Sequence, residues 1–402
     1  MKNLRVLSLV VSSLPTMSSI NLLHASDLHV SFLSQLRSPL DQYRDLEPGD
    51  PEILEVLWYA VRSWQKRISA SSYDPQTLED LAEFIYTNAR KKLVDEEEVT
   101  ETGEEKLDGI ILSGDLATTG NPRDIGHFKQ FLSADFNPKY PYRRGGGATL
   151  SAVRIPIIFL PGNHDRYIPT RRFYGYYPLI FAPGGVEFDQ RLMDYRSKPV
   201  QRREIVSEDE QLRVVVFCAD FTLRTLADHQ GRLGWLAQGK VHKDTLDALL
   251  SATRNEVQKG LSGNLCILWV VHFPPFYPGI KSHSRLLGED TLISAANSVG
   301  VRAILAGHTH KQLRYANSAM ATEVFCCGTT TQYEPLSLMG ARHQDDLLEG
   351  NHFEILTITT STKEEPQIIA KQYRYSVATD SGGPRLMEWM EVPKRPASVG
   401  RE

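Results

Sequence analysis

Short apolar runs recur along the chain, and six of them stop at polar clusters rather than at ordinary turns. They are Ile20-Asn-Leu-Leu-His-Ala-Ser26, Leu107-Asp-Gly-Ile-Ile-Leu-Ser113, Ile155-Pro-Ile-Ile-Phe-Leu-Pro161, Arg213-Val-Val-Val-Phe-Cys-Ala219, Leu265-Cys-Ile-Leu-Trp-Val-Val271 and Val301-Arg-Ala-Ile-Leu-Ala306. Runs this short and this continuous predict strands buried on both faces. Between them the apolar spacing becomes helical, at Ile53, Leu57, Val61, Trp64 and Ile68, and again at Leu78, Leu81, Ile85, Ala89 and Leu93. Asp74 is placed to cap the second of these helices, with Pro75 in its first turn. A short helix is expected around Phe128 and Phe131, and a longer one from about Leu233 to Leu250. Segments 323–327, 352–359 and 367–373 read as further strands, and residues 376–402, rich in Gly, Pro and charge, as a mobile tail. Strands alternating with helices predict an α/β (α+β) fold.

The polar clusters carry the candidate chemistry. Asp27-Leu-His29, Gly114-Asp115, Gly162-Asn163-His164-Asp165, His272 and Gly307-His308-Thr-His310 each follow an apolar run. In an alternating strand and helix protein, that position brings them to one edge of a sheet. Strand alternation puts Asp27 and His29 on one side, and likewise His308 and His310. Gly114 permits a tight turn that points Asp115 across the strand ends. His24 lies inside its apolar run without an acidic neighbour in sequence and reads as a core histidine.

Carboxylate, amide and imidazole groups without thiolates suit divalent first-row metals such as Mn, Fe, Co, Ni or Zn. The set exceeds what one catalytic ion requires, whereas two ions sharing the Asp115 carboxylate use all of it. Two ions about 3.5–4 Å apart hold a hydroxide at neutral pH and clamp the oxygens of an in-line phosphoryl displacement. Hydrolysis of a phosphate ester is the chemistry these residues predict.

Composition narrows the partners. At 402 residues the chain can bury a large core, and its formal charge of -4 argues against an extended nucleic-acid-binding face. Arg166, Tyr167 and Arg171 follow the third cluster, where guanidinium and phenol groups suit a phosphate and its organic substituent. The cysteines Cys218, Cys266, Cys326 and Cys327 fall in apolar runs without paired spacing, as expected of reduced thiols in the cytoplasm. The chain contains no apolar run long enough to span a membrane, and residues 1–16 read as a loose extension rather than a signal peptide.

Taken in order, Asp27-Leu-His29, Gly114-Asp115, Gly162-Asn-His-Asp165, His272 and Gly307-His-Thr-His310 resemble the five-part signature of the calcineurin-like metallophosphoesterase superfamily, over about residues 17–330. The resemblance implies a four-layer fold, a two-sheet β-sandwich flanked by helices, with a helical insertion after the first strand. It implies one domain over residues 17–375, with insertions at about 31–107 and 166–211. It also implies Asp27, His29 and His310 on one metal, Asn163, His272 and His308 on the other, and Asp115 on both. His164 then faces the substrate and Asp165 orients it or holds it charged.

Within the superfamily, Gly114-Asp-Leu-Ala-Thr-Thr-Gly120 lacks the Asp-Arg-Gly of the protein serine/threonine phosphatases and the tyrosine expected in purple acid phosphatases. Asp220, Gly231-Arg-Leu-Gly-Trp-Leu236 and His272-Phe-Pro-Pro275 are similar to segments of the class III cyclic-nucleotide phosphodiesterases. Phe273 departs from that branch, where a second histidine is common, and so does the long interval between Asp27 and Asp115. A phosphodiester such as a cyclic nucleotide is the implied substrate. A nuclease or phosphomonoesterase of the same superfamily, and a non-catalytic scaffold, are the competing readings.

Overall fold

In the first run, Ile20 and Leu22 bury to one side of the strand, and Leu23 and Ala25 to the other. A strand apolar on both faces needs a layer above and a layer below, and that requirement sets the architecture. The computed structural model describes residues 17–30, 75–94, 97–100, 103–117, 122–133, 149–169, 176–178, 195, 197–222, 238–259, 264–275, 286–315, 321–331, 351–360, 365–377 and 387–392. Its main strands are β1 (Ser18–Ala25), β2 (Gly109–Leu112), β3 (Ile157–Phe159), β4 (Val200–Val206), β5 (Arg213–Ala219), β6 (Leu265–Val270), β7 (Ala303–Ala306), β8 (Leu313–Tyr315), β9 (Glu323–Cys326), β10 (His352–Thr360), β11 (Gln367–Val377) and β12 (Met387–Glu391). Four α-helices are described, α1 (Pro75–Asn88), α2 (Pro122–Ser133), α3 (Lys243–Gln258) and α4 (Glu289–Ser298).

The strands form two six-stranded sheets, in the orders β12-β11-β10-β1-β2-β3 and β8-β9-β7-β6-β5-β4. In the first sheet β1, β2 and β3 run parallel. In the second β5, β6, β7 and β9 do the same. Their carboxyl ends therefore gather at one rim of each sheet. Between the sheets lie Ile20, Leu22, Ile111 and Ile158 from one and Val214, Val216, Leu268, Val270 and Leu305 from the other. Outside the first sheet, Leu81 and Ile85 of α1 and Phe128 of α2 cover Leu23, Ile110 and Leu112. Outside the second, Leu249 of α3 and Leu292 of α4 cover Phe217, Trp269 and Ile304. Full burial of each such side chain contributes roughly 1.5–3 kcal/mol. The result is four layers, helix, sheet, sheet, helix, as the resemblance implied. None of the described helices is long and apolar enough to cross a membrane.

Several boundaries differ from the sequence reading. The segment assigned to a mobile tail contains β12, which pairs antiparallel with β11 and packs Trp389 against Phe353 with the rings tilted and their centroids 4.6 Å apart. The Trp389 anchor is hidden in sequence by the surrounding Gly, Pro and charge. The insertion placed over 166–211 contains β4, an edge strand antiparallel to β5. Gln201-Arg-Arg-Glu204 looks solvent-facing because its middle residues are exposed at the sheet edge. The helix expected over about 233–250 runs from Lys243 to Gln258, and α1 stops at Asn88, with Leu93 in a short ribbon instead. The helix expected over 53–68, the cap Asp74 and the extension 1–16 lie outside the described residues.

Candidate metal centre

Beyond Ala25 the first strand leaves regular geometry but keeps its neighbour. The N–H groups of Asp27, His29 and Val30 donate to the carbonyls of Gly114, Asp115 and Leu116 at 3.0, 2.9 and 3.0 Å. The two chains thus advance together past the sheet rim, carrying Asp27, His29 and Asp115 with them. Asp27 and His29 do share a side, but not by strand alternation. Each takes a left-handed φ, 53° and 46°, while Leu28 between them is fully buried in the core.

The same conformation recurs at Asp115 (48°), His308 (70°) and His310 (57°). Among the described residues only two other non-glycine positions, Lys106 and Glu210, have positive φ. Such a backbone costs about 1–3 kcal/mol per residue, and its concentration at five sequence-predicted ligands marks a strained, function-bearing rim. Two glycines make the crowding possible. Gly114 sits at φ 102°, where an added Cβ would lie 2.4 Å from His272 Nδ1, and a Cβ on Gly307 would lie 1.7 Å from Ser26 Oγ.

A set of hydroxyls that the sequence reading did not single out holds the first turn. Thr329 Oγ1 donates to the Asp27 carbonyl at 3.1 Å, Thr330 Oγ1 to the Ser26 carbonyl at 2.9 Å, and Thr331 Oγ1 to the Leu28 carbonyl. The only sequence signal was a run of three threonines after Gly328 at the end of a strand.

The side chains then converge into three clusters whose candidate ligand atoms lie within 4.8 Å of one another. Asp27, His29 and His310 form one, His29, Asp115 and His164 a second, and Asp115, His272 and His308 a third. The Nε2 atoms of His29 and His310 stand 3.2 Å apart, and His310 Nε2 is 3.3 Å from Asp27 Oδ1. On the other side, His272 Nε2 lies 3.3 Å from Asp115 Oδ2 and 3.0 Å from Asn163 Oδ1. His272 Nδ1 contacts the Ser113 carbonyl at 2.9 Å. Phe273, fully buried, packs its ring 4.9 Å from His272 and 4.6 Å from His308, so the residue departing from the family pattern acts as a wall behind two imidazoles.

Whether this set fits metal ions is decided by its unsatisfied atoms. His308 Nε2 is buried and forms no hydrogen bond, and buried Asp27 Oδ1 has the His310 ring nitrogen 3.3 Å away without a well-formed hydrogen bond. A lone pair and a carboxylate charge left in this state are costly unless a cation meets them. Asp27 Oδ2 is occupied, accepting from Ser26 Oγ at 2.6 Å and from the His308 N–H at 2.8 Å. One oxygen is thus used for orientation and the other left for an ion. The donors are all nitrogen or oxygen, and Asp115 belongs to two of the clusters. The site is a dinuclear divalent metal centre by its ligand chemistry.

Electrostatics agrees. Burial pushes the Asp27 carboxyl upward, yet His310 beside it outweighs burial and brings it down to about 2. Asp115 is held well below the usual carboxylate range because His272 and His164 outweigh its burial. Burial lowers His29 and His308 to about 3, leaving neutral imidazoles with lone pairs to donate. His272 is disfavoured as a cation by burial, but the Asp115 carboxylate raises it to about 9. Two anionic oxygens facing several imidazoles is the charge pattern that divalent ions complete.

Residues of the Gly162–Asp165 motif divide their work. The His164 N–H donates to Asp115 Oδ1 at 2.8 Å, and its ring lies edge-on to His29 with centroids 4.7 Å apart. Asp165 is buried and accepts from the backbone N–H of Gly162 at 2.7 Å, Leu116 at 3.2 Å and Ala117 at 2.8 Å. Sequence reasoning paired it with the His164 side chain. Its hydrogen bonds instead join the motif loop to the loop after β2. Burial, reinforced by Asp115, raises its carboxyl to about 7.

The backbone of Arg166 and Tyr167 continues directly from this loop, but their side chains and all of Arg171 lie outside the described residues. Asp220 is buried and accepts from Thr222 N–H and Oγ1, and it joins none of the three clusters. The four cysteines are unpaired and buried, with burial pushing Cys218, Cys266 and Cys326 up to about 12, so they are inert thiols and not ligands.

The sequence model described as calcineurin-like phosphoesterase matches residues 20–312. No curated protein matches the chain by sequence. Among solved structures, the chain is similar to a dimetal phosphatase from Danio rerio, at 12% identity and TM-score 0.44, over 87% of this chain and 98% of that one. It is also similar to GAP50, the anchor in the inner membrane complex of Plasmodium, at 11% identity and TM-score 0.42, over 94% and 90%. The phosphopantetheinyl hydrolase of Mycobacterium tuberculosis matches at 14% identity and TM-score 0.33, over 83% and 95%.

Proposed function

The chain belongs to the calcineurin-like phosphoesterase family, and from that membership we propose that it hydrolyses a phosphodiester, a cyclic nucleotide being the leading example, in a dinuclear metal site. The observation that carries the reading is the position of Asp115, shared between the cluster of His29 and the cluster of His272 and His308. Asp27, His29 and His310 would hold one divalent ion, Asn163, His272 and His308 the other, and Asp115 both. Bound there, such ions activate water near neutral pH and polarise phosphoryl oxygens.

The chain's own residues supply the rest. Asp115 Oδ1 fixes the His164 backbone, so the half-buried imidazole is presented beside the two ligand clusters, where it can donate a proton to the leaving oxygen. Asp165 is the positioning residue of that loop through its three backbone hydrogen bonds. Arg166, Tyr167 and Arg171, next in sequence, are proposed to contact the substrate's phosphate and its substituent.

The choice of a diester rests on sequence, on the segments at Asp220 and His272-Phe-Pro-Pro275 and on the missing Asp-Arg-Gly after Asp115. The formal charge of -4 disfavours a nuclease. Hydrolysis of bis-p-nitrophenyl phosphate, p-nitrophenyl phosphate, cyclic AMP and single-stranded DNA, each with added Mn, tests the assignment. Turnover of the diesters ahead of the monoester and DNA is expected. Inactivity on all four overturns the phosphodiesterase reading.

A further inference from the structure

On the inner face of the first sheet, three buried side chains from three adjacent strands form one hydrogen-bonded row. Glu354 on β10 and His24 on β1 stand opposite each other in register, and Ser113 lies at the end of β2 on the next strand over. His24 Nδ1 is 2.7 Å from Glu354 Oε1, and His24 Nε2 is 2.9 Å from Ser113 Oγ. His24 and Ser113 are 0% exposed and Glu354 2%. Three polar groups among Ile20, Leu22, Ile111, Leu356 and Ile358 are costly in a core, and each is tolerated because it is hydrogen-bonded to the next. A core needs only shape there, which apolar residues of similar volume would supply. The row therefore calls for a further role.

Its position supplies one. Ser113 stands immediately before Gly114-Asp115, and its carbonyl faces His272 Nδ1 across the gap between the two sheets at 2.9 Å. An acceptor there keeps a proton on Nδ1 and orients Nε2 toward Asp115 and Asn163, where its lone pair would be offered to an ion once Nε2 gives up its proton. The peptide that carries this acceptor is intrinsically soft, because Gly114 has no Cβ and sits at φ 102°. The Ser113 N–H donates to Ala25 and the Gly114 carbonyl accepts from Asp27, but neither bond fixes the direction of the Ser113 carbonyl itself. The Ser113 hydroxyl is the remaining tether. It meets His24 Nε2 at 2.9 Å, and with Nδ1–H of that ring assigned as donor to the Glu354 carboxylate at 2.7 Å, the hydroxyl is the donor to Nε2.

We propose that Glu354, His24 and Ser113 form a positioning relay that seats His272 for metal binding. It rests on the dinuclear reading above and assigns a role to a histidine that looks, in sequence, like ordinary core.

The test is titration of the metal-free, full-length protein with Mn by calorimetry, with urea unfolding of each metal-free variant alongside. Wild type is expected to take up two ions. Ser113→Ala and Glu354→Leu leave the Ser113 carbonyl in place but no longer held, and should each weaken one of them up to about tenfold, the low end of what losing the outer partner of a metal-ligating histidine costs, and change the other far less. Ser113→Thr, which keeps a hydroxyl, and Glu354→Gln, which keeps an acceptor for Nδ1–H, should restore the affinity. A purely structural row would lower the urea midpoint of Ser113→Ala and Glu354→Leu while leaving both Mn affinities at wild-type values, and that result overturns the relay while the dinuclear reading stands. Wild-type protein that takes up no Mn overturns the dinuclear reading itself, and the relay with it.

Discussion

Asp115 and His164 are joined through the backbone, the His164 N–H donating to Asp115 Oδ1 at 2.8 Å, while Asp115 Oδ2 lies 3.3 Å from His272 Nε2 and 3.8 Å from His29 Nε2. One carboxylate therefore reaches both ligand clusters and also anchors the loop of the candidate proton donor. Asp115→Asn keeps the size of the group and removes its charge. Both ions should be lost from this variant, read by metal analysis after gel filtration. Occupancy equal to wild type would contradict the bridging role.

His310 belongs to one cluster only, with Asp27 and His29. His310→Ala should weaken the ion held there and leave the ion on His272 and His308 in place. The measurement is again metal stoichiometry, and loss of both ions in this variant would mean that the two sites are not separable.

His164 falls in a cluster with His29 and Asp115, although the five-part signature in the sequence implies that it stays off the metals. The proposed role predicts that His164→Ala retains two ions and loses about 10²–10⁴-fold in kcat, the usual contribution of a positioned general acid. A drop in metal content with the loss of activity would move His164 into the ligand set.

The strand exits were legible because buried strands are written as continuous apolar runs, and a histidine or aspartate that ends such a run has no packing reason to be there. Asp27, His29, Asp115, His272, His308 and His310 all announced themselves in this way. Their left-handed backbones did not, since each lies in the φ of a single residue and no residue type in Asp27-Leu-His29 demands it. The supporting residues were silent for a different reason. Thr329, Thr330 and Thr331 act through hydroxyls on distant carbonyls, and Glu354 is 330 positions from its partner His24. Asp165 was visible as a motif residue, but the three amides it holds come from two loops that only the fold brings together.

The threonine clamp yields its own prediction. Thr330 Oγ1 shares its proton between the carbonyls of Ser26 and His352, at 2.9 and 3.0 Å, in a fully buried setting. Thr330→Val preserves shape but removes the hydroxyl that accepts from the Ser26 N–H at 3.3 Å and one donor from each carbonyl, the Ser26 carbonyl keeping the Thr330 N–H at 3.1 Å, for a loss of about 1 kcal/mol. Urea unfolding of the metal-free protein should show that loss, and the ion at Asp27, whose turn the clamp holds, should bind more weakly. Unchanged stability would mean that the hydroxyl is dispensable.

The edge strand β4 offers a test of stability against pH that is independent of the metal centre. Arg202 Nε donates to Glu256 Oε1 at 2.8 Å, its NH2 group donates to Glu204 at 2.7 Å, and the Glu256 side chain is only 3% exposed. Burial raises the Glu256 carboxyl, but Arg202 and then Lys259 outweigh it, and the folded-state value lies below the ordinary 4.5. Glu204 is likewise depressed, by Arg202 and Arg213 against its burial. A carboxylate depressed in the folded state contributes stability above its unfolded value and loses that contribution as pH falls through the folded one. Arg202→Met should therefore destabilise the protein at pH 7, by about 1 kcal/mol because the arginine is partly solvated. The difference from wild type should shrink once the pH falls below about 4.5 and the glutamates protonate. Urea unfolding of both proteins with chelator present, at pH 7 and again near pH 4, reads the difference directly. A gap that stays constant across that interval would mean that the packing of the arginine stem, and not its charge on Glu204 and Glu256, is what β4 needs.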